Sequence, residues 1–188
     1  MIIGLTGLKG SGKDTVGAYL VKQYGFERRS FADKLKESAA ALFDTSPVYF
    51  DEWKNDPTAI MKITTNEGLT TQVSMTVRSF LQRYGTEAHR DVFGEDFWID
   101  QVLPVGGYYA GRAIVVTDVR FENEENRIVQ LGGQICVVER PGLDLKDPHR
   151  SEQLAAKSIW RWVIPNTGTV EDLYREVDTM LEAISDDS

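Results

Sequence analysis

The stretch Gly7-Leu8-Lys9-Gly10-Ser11-Gly12-Lys13-Asp14-Thr15 follows a short apolar run and opens a helical pattern. Glycines at positions 7, 10 and 12 let the backbone curl, so that successive N–H groups turn inward on an anion. The helix that follows adds the positive end of its dipole. Lys13 brings a mobile point charge suited to the β- and γ-phosphates of a nucleotide. The hydroxyl that would hold magnesium sits two residues after the lysine, at Thr15, and Asp14 stands between them. A carboxylate among phosphate ligands repels the anion unless a cation intervenes. Asp14 therefore reads as a water-mediated magnesium contact, as the partner of an arginine, or as an acid favoured at a helix start.

A second carboxylate, Asp118, ends the apolar run Ile114–Thr117. In open α/β sheets ligands bind beyond the carboxyl ends of the strands, so Asp118 is a candidate for a magnesium-bound water. Arg120, two residues on, offers a planar fork for phosphate. Further along, Val77, Phe80, Leu81, Tyr84 and Ala88 share one helical face. Arg78, Gln82 and Thr86 share the other, flanked by Arg83, Glu87 and Arg90, and Gly85 allows a bend. Guanidinium, amide and carboxylate groups together suit a phosphorylated polar substrate, although a solvated helix face has the same composition. Of the aromatic cluster Phe93, Phe97 and Trp98, most is expected in the core, with one ring free to stack on a base.

The elements that must carry these groups alternate along the chain. Ile2–Leu5, residues 26–31, 113–116, 135–138 and 160–164 read as strands, and residues 16–24, 34–43, 122–131 and 170–184 as helices. Gly132-Gly133 closes the third of these helices, and Thr169 with Asp172 opens the last as a capping pair. Strands alternating with helices predict an α/β fold with a parallel sheet. Residues 45–75 interrupt the rhythm as an irregular excursion containing a small hairpin. Residues 140–158 form a charged connection between two strands.

At 188 residues and 41% hydrophobic composition, the chain suits one globular domain. Its net charge of −8 disfavours a nucleic-acid polymer or an anionic membrane as partner. Residues 171–188 hold seven acids and one base, which leaves −2 on the rest. The acidity is thus a terminal helix face and says nothing against small polyanions. Cys136 is the one cysteine, so neither an intramolecular disulfide nor a cysteine zinc site can form. With no signal-peptide pattern and no membrane-length apolar run, a cytoplasmic setting is expected.

Ser11-Gly12-Lys13-Asp14-Thr15, Phe31-Ala32-Asp33-Lys34-Leu35-Lys36, Tyr84-Gly85-Thr86-Glu87 with Arg90, Asp118-Val119-Arg120-Phe121 and His149-Arg150-Ser151-Glu152 resemble bacteriophage-type deoxynucleoside monophosphate kinases. The resemblance spans essentially the whole chain. Lys34 replaces a proline common in the family. The resemblance implies a single phosphate-loop kinase domain with a five-stranded parallel sheet, an acceptor region at 45–100 and a lid at 140–158. It implies ATP and a deoxynucleoside monophosphate as substrates, with Mg2+, in a host cytoplasm if the gene is viral, and leaves a homodimer open. Lys9 and Gly10–Thr15 would bind the ATP phosphates and magnesium, while Asn166 and Thr167 would lie near adenine. Asp33, Lys36, Arg78, Gln82, Thr86, Glu87, Arg90 and Trp98 would serve the acceptor. Arg120, Arg140 and Arg150 would close on the transferring group. Lys13, Arg90, Arg120, Arg140 and Arg150 are then expected in one cleft. The loop is also similar to that of phosphomevalonate kinases, and a non-catalytic ATP-binding regulator would keep it too. The Gly-Thr-Glu-x-x-Arg segment and the arginine set favour the nucleotide enzymes.

Overall fold

The computed structural model describes residues 1–64, 72–143 and 161–187. They fall into two compact units, Met1–Phe31 with Val102–Ser188, and Ala32–Gln101.

The first unit is built on β1 (Ile2–Thr6), β2 (Glu27–Arg29), β5 (Ile114–Val116), β6 (Gln134–Glu139) and β7 (Trp162–Pro165). They form a parallel sheet in the order β2-β5-β1-β6-β7. β1 and β5 are apolar at nearly every position and buried throughout, as a sheet covered on both faces requires. Over one face lie α1 (Lys13–Tyr24) and α8 (Val170–Asp186), which close a core around Ile3, Leu5, Val115, Val138 and Ile164. α7 (Glu122–Gln130) contributes Ile128 beside Gly4 of β1. Cys136 lies inside the sheet, where burial pushes its thiol up to about 12 and keeps it protonated and inert.

Ring stacking and two hydrogen bonds tie α1 to α8. Tyr19 stacks on Tyr174 with centroids 4.0 Å apart, and the Tyr19 and Tyr24 hydroxyls donate to Asp178 at 2.9 and 2.7 Å. Burial and the Asp178 carboxylate raise the Tyr19 phenol; the hydrogen bond to Asp178 pushes Tyr24 up to about 12. α8 starts as the sequence predicts. Thr169 Oγ1 accepts from the Asp172 N–H, and Asp172 accepts from the Thr169 N–H. No helix among the described residues is long and apolar enough to cross a membrane.

The second unit holds α2 (Phe31–Leu42, from its second residue), α3 (Pro47–Trp53), the antiparallel hairpin β3 (Ile60–Thr64) and β4 (Gln72–Thr76), and α4 (Val77–Gly85). A π-helical turn follows at Thr86–Arg90, then α5 (Asp91–Phe93) and α6 (Phe97–Val102). The expected hairpin is present, but the excursion is less irregular than its composition suggests. Ser46 caps α3 and Pro47 occupies its first turn. Phe50, Met61, Val77 and Phe80 make this unit's own core.

α3 is also bound to α2 by charge. Lys36 is largely buried, its ammonium 2.9 Å from Asp33 and 3.0 Å from Asp51, and Asp51 also pairs with Lys54. Burial opposes the charge on Lys36, but the hydrogen bonds to Asp33 and Asp51 outweigh it and hold the ammonium above its ordinary range. In the same way burial opposes Asp51, and Lys54 and Lys36 win and hold it low. A depressed carboxylate contributes stability above its unfolded value and loses it as pH falls through the folded one; a raised lysine loses its contribution only as pH rises through its own. Between pH about 5 and about 2 the melting temperature should therefore fall more steeply for the unsubstituted protein than for Asp51→Asn. Scanning calorimetry across that range measures the difference, and parallel curves would remove Asp51 from the acid response.

Candidate active site

All five strands of the sheet end on the same edge, and β1 sits where connections leave toward opposite sides. That is the switch point at which such sheets bind ligands. The turn from β1 into α1 lies there. Gly7 holds φ 143°, and a Cβ on it would stand 2.5 Å from the Val138 carbonyl oxygen, so the loop can lie against β6 only with glycine at this position. Lys13 Nζ donates to the Gly7 carbonyl at 2.6 Å and the Leu8 carbonyl at 2.9 Å, folding the lysine over its own loop. The Ser11 hydroxyl is buried, and no partner for it exists among the described residues. A buried hydroxyl left unpaired is costly, and a loop shaped to receive an anion is a physical reason to retain one.

The loop borders a cleft of about 350 Å³ lined by Gly10, Gly12, Lys13, Asp14, Thr15, Arg140, Asn166, Gly168, Val170 and Leu173. Three strand ends therefore meet here: β1 through the loop, β6 through Arg140, and β7 through Asn166. Gly168, Val170 and Leu173 are functional candidates that the sequence reading did not single out. Val170 and Leu173 read only as positions of the last helix; their place beside the loop comes from how α8 lies on α1.

The expected residues divide accordingly. Gly10, Gly12, Lys13, Asp14, Thr15, Arg140 and Asn166 come together at the cleft, whereas Lys9, Ser11 and Thr167 are not among its lining residues. Asp118 is not in the lining either. Its Oδ2 accepts from Ser30 Oγ and its Oδ1 from the Phe31 N–H, both at 2.9 Å. The carboxylate thus caps the start of α2, a role the sequence expectation of a magnesium-bound water did not include. Of the five basic groups expected in one cleft, Lys13 and Arg140 line it. Arg120 stands beyond β5, its backbone N–H bonded to Glu124, Arg90 belongs to the second unit, and Arg150 lies outside the described residues. Among those residues no cluster of three or more His, Cys, Asp or Glu forms a metal cage.

The second unit groups the acceptor candidates. Asp33 and Lys36 form the ion pair already described. Arg78 donates to Asn55 at 2.6 Å, Glu87 pairs with Arg83 at 2.9 Å, and Gln82 and Thr86 are exposed. The bend allowed by Gly85 is a helical widening at Thr86–Arg90, a local irregularity frequent at functional positions. Trp98 departs from the stacking expectation. Its ring is 3% exposed and its indole N–H donates to the Gly85 carbonyl at 3.0 Å, so it packs the helix junction and presents no open face.

A family model for deoxynucleotide monophosphate kinases matches residues 43–177. A protein of Acanthamoeba polyphaga mimivirus, described as a "Putative deoxynucleotide monophosphate kinase", is 31% identical over 98% of both chains. The chain belongs to the deoxynucleotide monophosphate kinase family. It is by family a phosphotransferase acting on nucleotides. Solved structures similar to this kinase include shikimate kinase from Aquifex aeolicus, with 14% identity and a TM-score of 0.47 over 98% of both chains. Dephospho-CoA kinase from Campylobacter jejuni has 17% identity and a TM-score of 0.48 over 97% of this chain and 96% of its own.

Removing the indole donor tests the Trp98 assignment. Trp98→Phe should lower unfolding free energy by about 0.5–1.5 kcal/mol, because the indole hydrogen bond to the Gly85 carbonyl is lost, with little change in the Michaelis constant for a monophosphate. Urea titration and steady-state kinetics separate this from a stacking role, which would raise that constant and spare stability.

Proposed function

We propose that this kinase transfers the γ-phosphoryl group of ATP to the phosphate of a deoxynucleoside monophosphate, giving ADP and the diphosphate. The observation that carries this reading is Lys13 folded into a glycine turn that borders the same cleft as Arg140. Inward N–H groups, the start of α1 and two cations offer charge where a triphosphate would lie. The apolar side chains of Val170 and Leu173 offer the donor base a wall.

Little covalent chemistry is asked of the protein in such a transfer; alignment and charge neutralisation do most of the work. The acceptor oxygen belongs to an ionised phosphate, so no general base is needed. Arg140, at the start of the proposed lid, would neutralise charge on the moving group, with Arg120 and Arg150 as further candidates. Exclusion of water is assigned to the 140–158 segment. Magnesium supplies charge neutralisation on phosphate oxygens when it is bound. Thr15 and Asp14 would hold it, since they bring the hydroxyl and the carboxylate of the cleft lining. Magnesium keeps several waters and takes few protein ligands, so two donors fit it without a cage.

The acceptor is assigned to the second unit: Arg78 and Arg90 for phosphate, Gln82, Thr86 and Glu87 for sugar or base edges, and Asp33 with Lys36 at the border. The family match and the viral relative support a nucleotide as acceptor. The reaction is placed in the cytoplasm, where a lone buried thiol meets no oxidising demand.

Coupled ADP release tests the reading over dAMP, dGMP, dCMP, dTMP and phosphomevalonate. Turnover is expected on one or more of the nucleotides. Lys13→Ala should reduce kcat/KM by about 100- to 1000-fold, the usual loss for one preorganised charge donor. Near-normal turnover in Lys13→Ala, or turnover on phosphomevalonate alone, overturns the proposal.

A further inference from the structure

Asn166 was expected beside adenine, yet its amide is turned to the phosphate loop. Its Nδ2 donates to the Ser11 carbonyl at 2.8 Å. Its own backbone N–H donates to the Glu139 carbonyl at 2.7 Å, which anchors the residue to the end of β6 immediately before Arg140. The Ser11 carbonyl and the Gly12 N–H belong to one planar trans peptide, so they point in opposite directions. Fixing the carbonyl therefore fixes the direction of that N–H.

The constraint is needed at this position. Gly12 holds φ 111°, in a region that glycine enters freely and also leaves freely. Rotation of the peptide would present an oxygen, instead of a hydrogen, to an anion. The approach of Asn166 is itself possible only because residue 12 lacks a side chain: a Cβ there would stand 2.7 Å from Nδ2. Gly12 gives the loop its turn and Asn166 supplies the rigidity that glycine lacks.

We propose that Asn166 is a positioning residue of the phosphate loop, locking the Ser11–Gly12 peptide in its anion-binding orientation, and not a reader of the donor base. This rests on the reading of the loop as the triphosphate site. It also joins Arg140 and the loop through one short path, Glu139–Asn166–Ser11, so that the cation and the N–H groups are held in mutual register.

Inorganic tripolyphosphate, which has phosphates and no base, separates the two roles. Calorimetry should show its binding to Asn166→Ala weakened by about tenfold, the loss expected for one hydrogen bond to a preorganised site. The kcat/KM values for ATP and GTP should fall by a common factor, leaving their ratio unchanged. Asn166→Gln, which keeps the donor, should recover part of the loss. Unchanged tripolyphosphate binding with an altered ATP-to-GTP ratio would make Asn166 a base reader and overturn the proposal. The unsubstituted protein gives a reading independent of any variant's folding. By NMR the Asn166 side-chain amide protons should stay protected from exchange when tripolyphosphate binds, and deprotection on binding overturns the proposal. If the unsubstituted protein binds tripolyphosphate but phosphorylates no monophosphate, the kinase reading fails while these binding arms still decide the role of Asn166.

Discussion

A polyphosphate enters a protein only where N–H groups and cations already face it, because reorganising them at the moment of binding would consume the binding energy. On the function proposed for this chain, that condition depends on the turn between β1 and α1. Its backbone takes left-handed values that side chains would resist, it presses against the Val138 carbonyl at Gly7, and it keeps Ser11 buried. None of this is self-supporting. The turn is held from one side by β6, from the other by Asn166 at the end of β7, and from within by Lys13. The parallel sheet is the device that brings those supports to one edge, and the packing of α8 on α1 brings the apolar wall of the cleft to the same place.

Carboxylates show how far local pattern can be trusted for chemistry. Asp14 and Asp118 are both acids at phosphate-handling positions in the sequence. Asp14 lines the cleft, whereas Asp118 gives its oxygens to Ser30 and Phe31 and starts a helix. The difference lies in which strand end each occupies and what packs beside it. Trp98 teaches the same lesson for aromatic residues. Its type suits stacking on a base, but its ring is buried and its indole N–H is committed to the Gly85 carbonyl.

Much was legible in one dimension. The phosphate loop announces itself through glycine spacing and a lysine, because backbone geometry there tolerates little else. The buried strands are readable as continuous apolar runs, and α8 from its capping pair, because period and burial are imposed residue by residue. Local patterns also showed the hairpin and the bend at Gly85. Less legible were α3, whose seven residues carry too short a period, and the Lys36–Asp51 tie, whose partners stand 15 residues apart on successive helices.

The sequence by itself thus determined the chemistry on offer: a glycine-rich turn with a lysine, of the kind that suits phosphate, a parallel sheet to carry it, and a set of arginines. The tertiary structure alone decided which groups meet. It put Arg140 and Asn166 on the loop's cleft, assigned Asp118 to a helix start and made Gly168, Val170 and Leu173 part of the cleft's lining. The reason is physical: spacing along a chain constrains only neighbours a few residues apart. The separation of 155 residues from Ser11 to Asn166 is closed by strand order and helix packing, and these depend on the whole core at once.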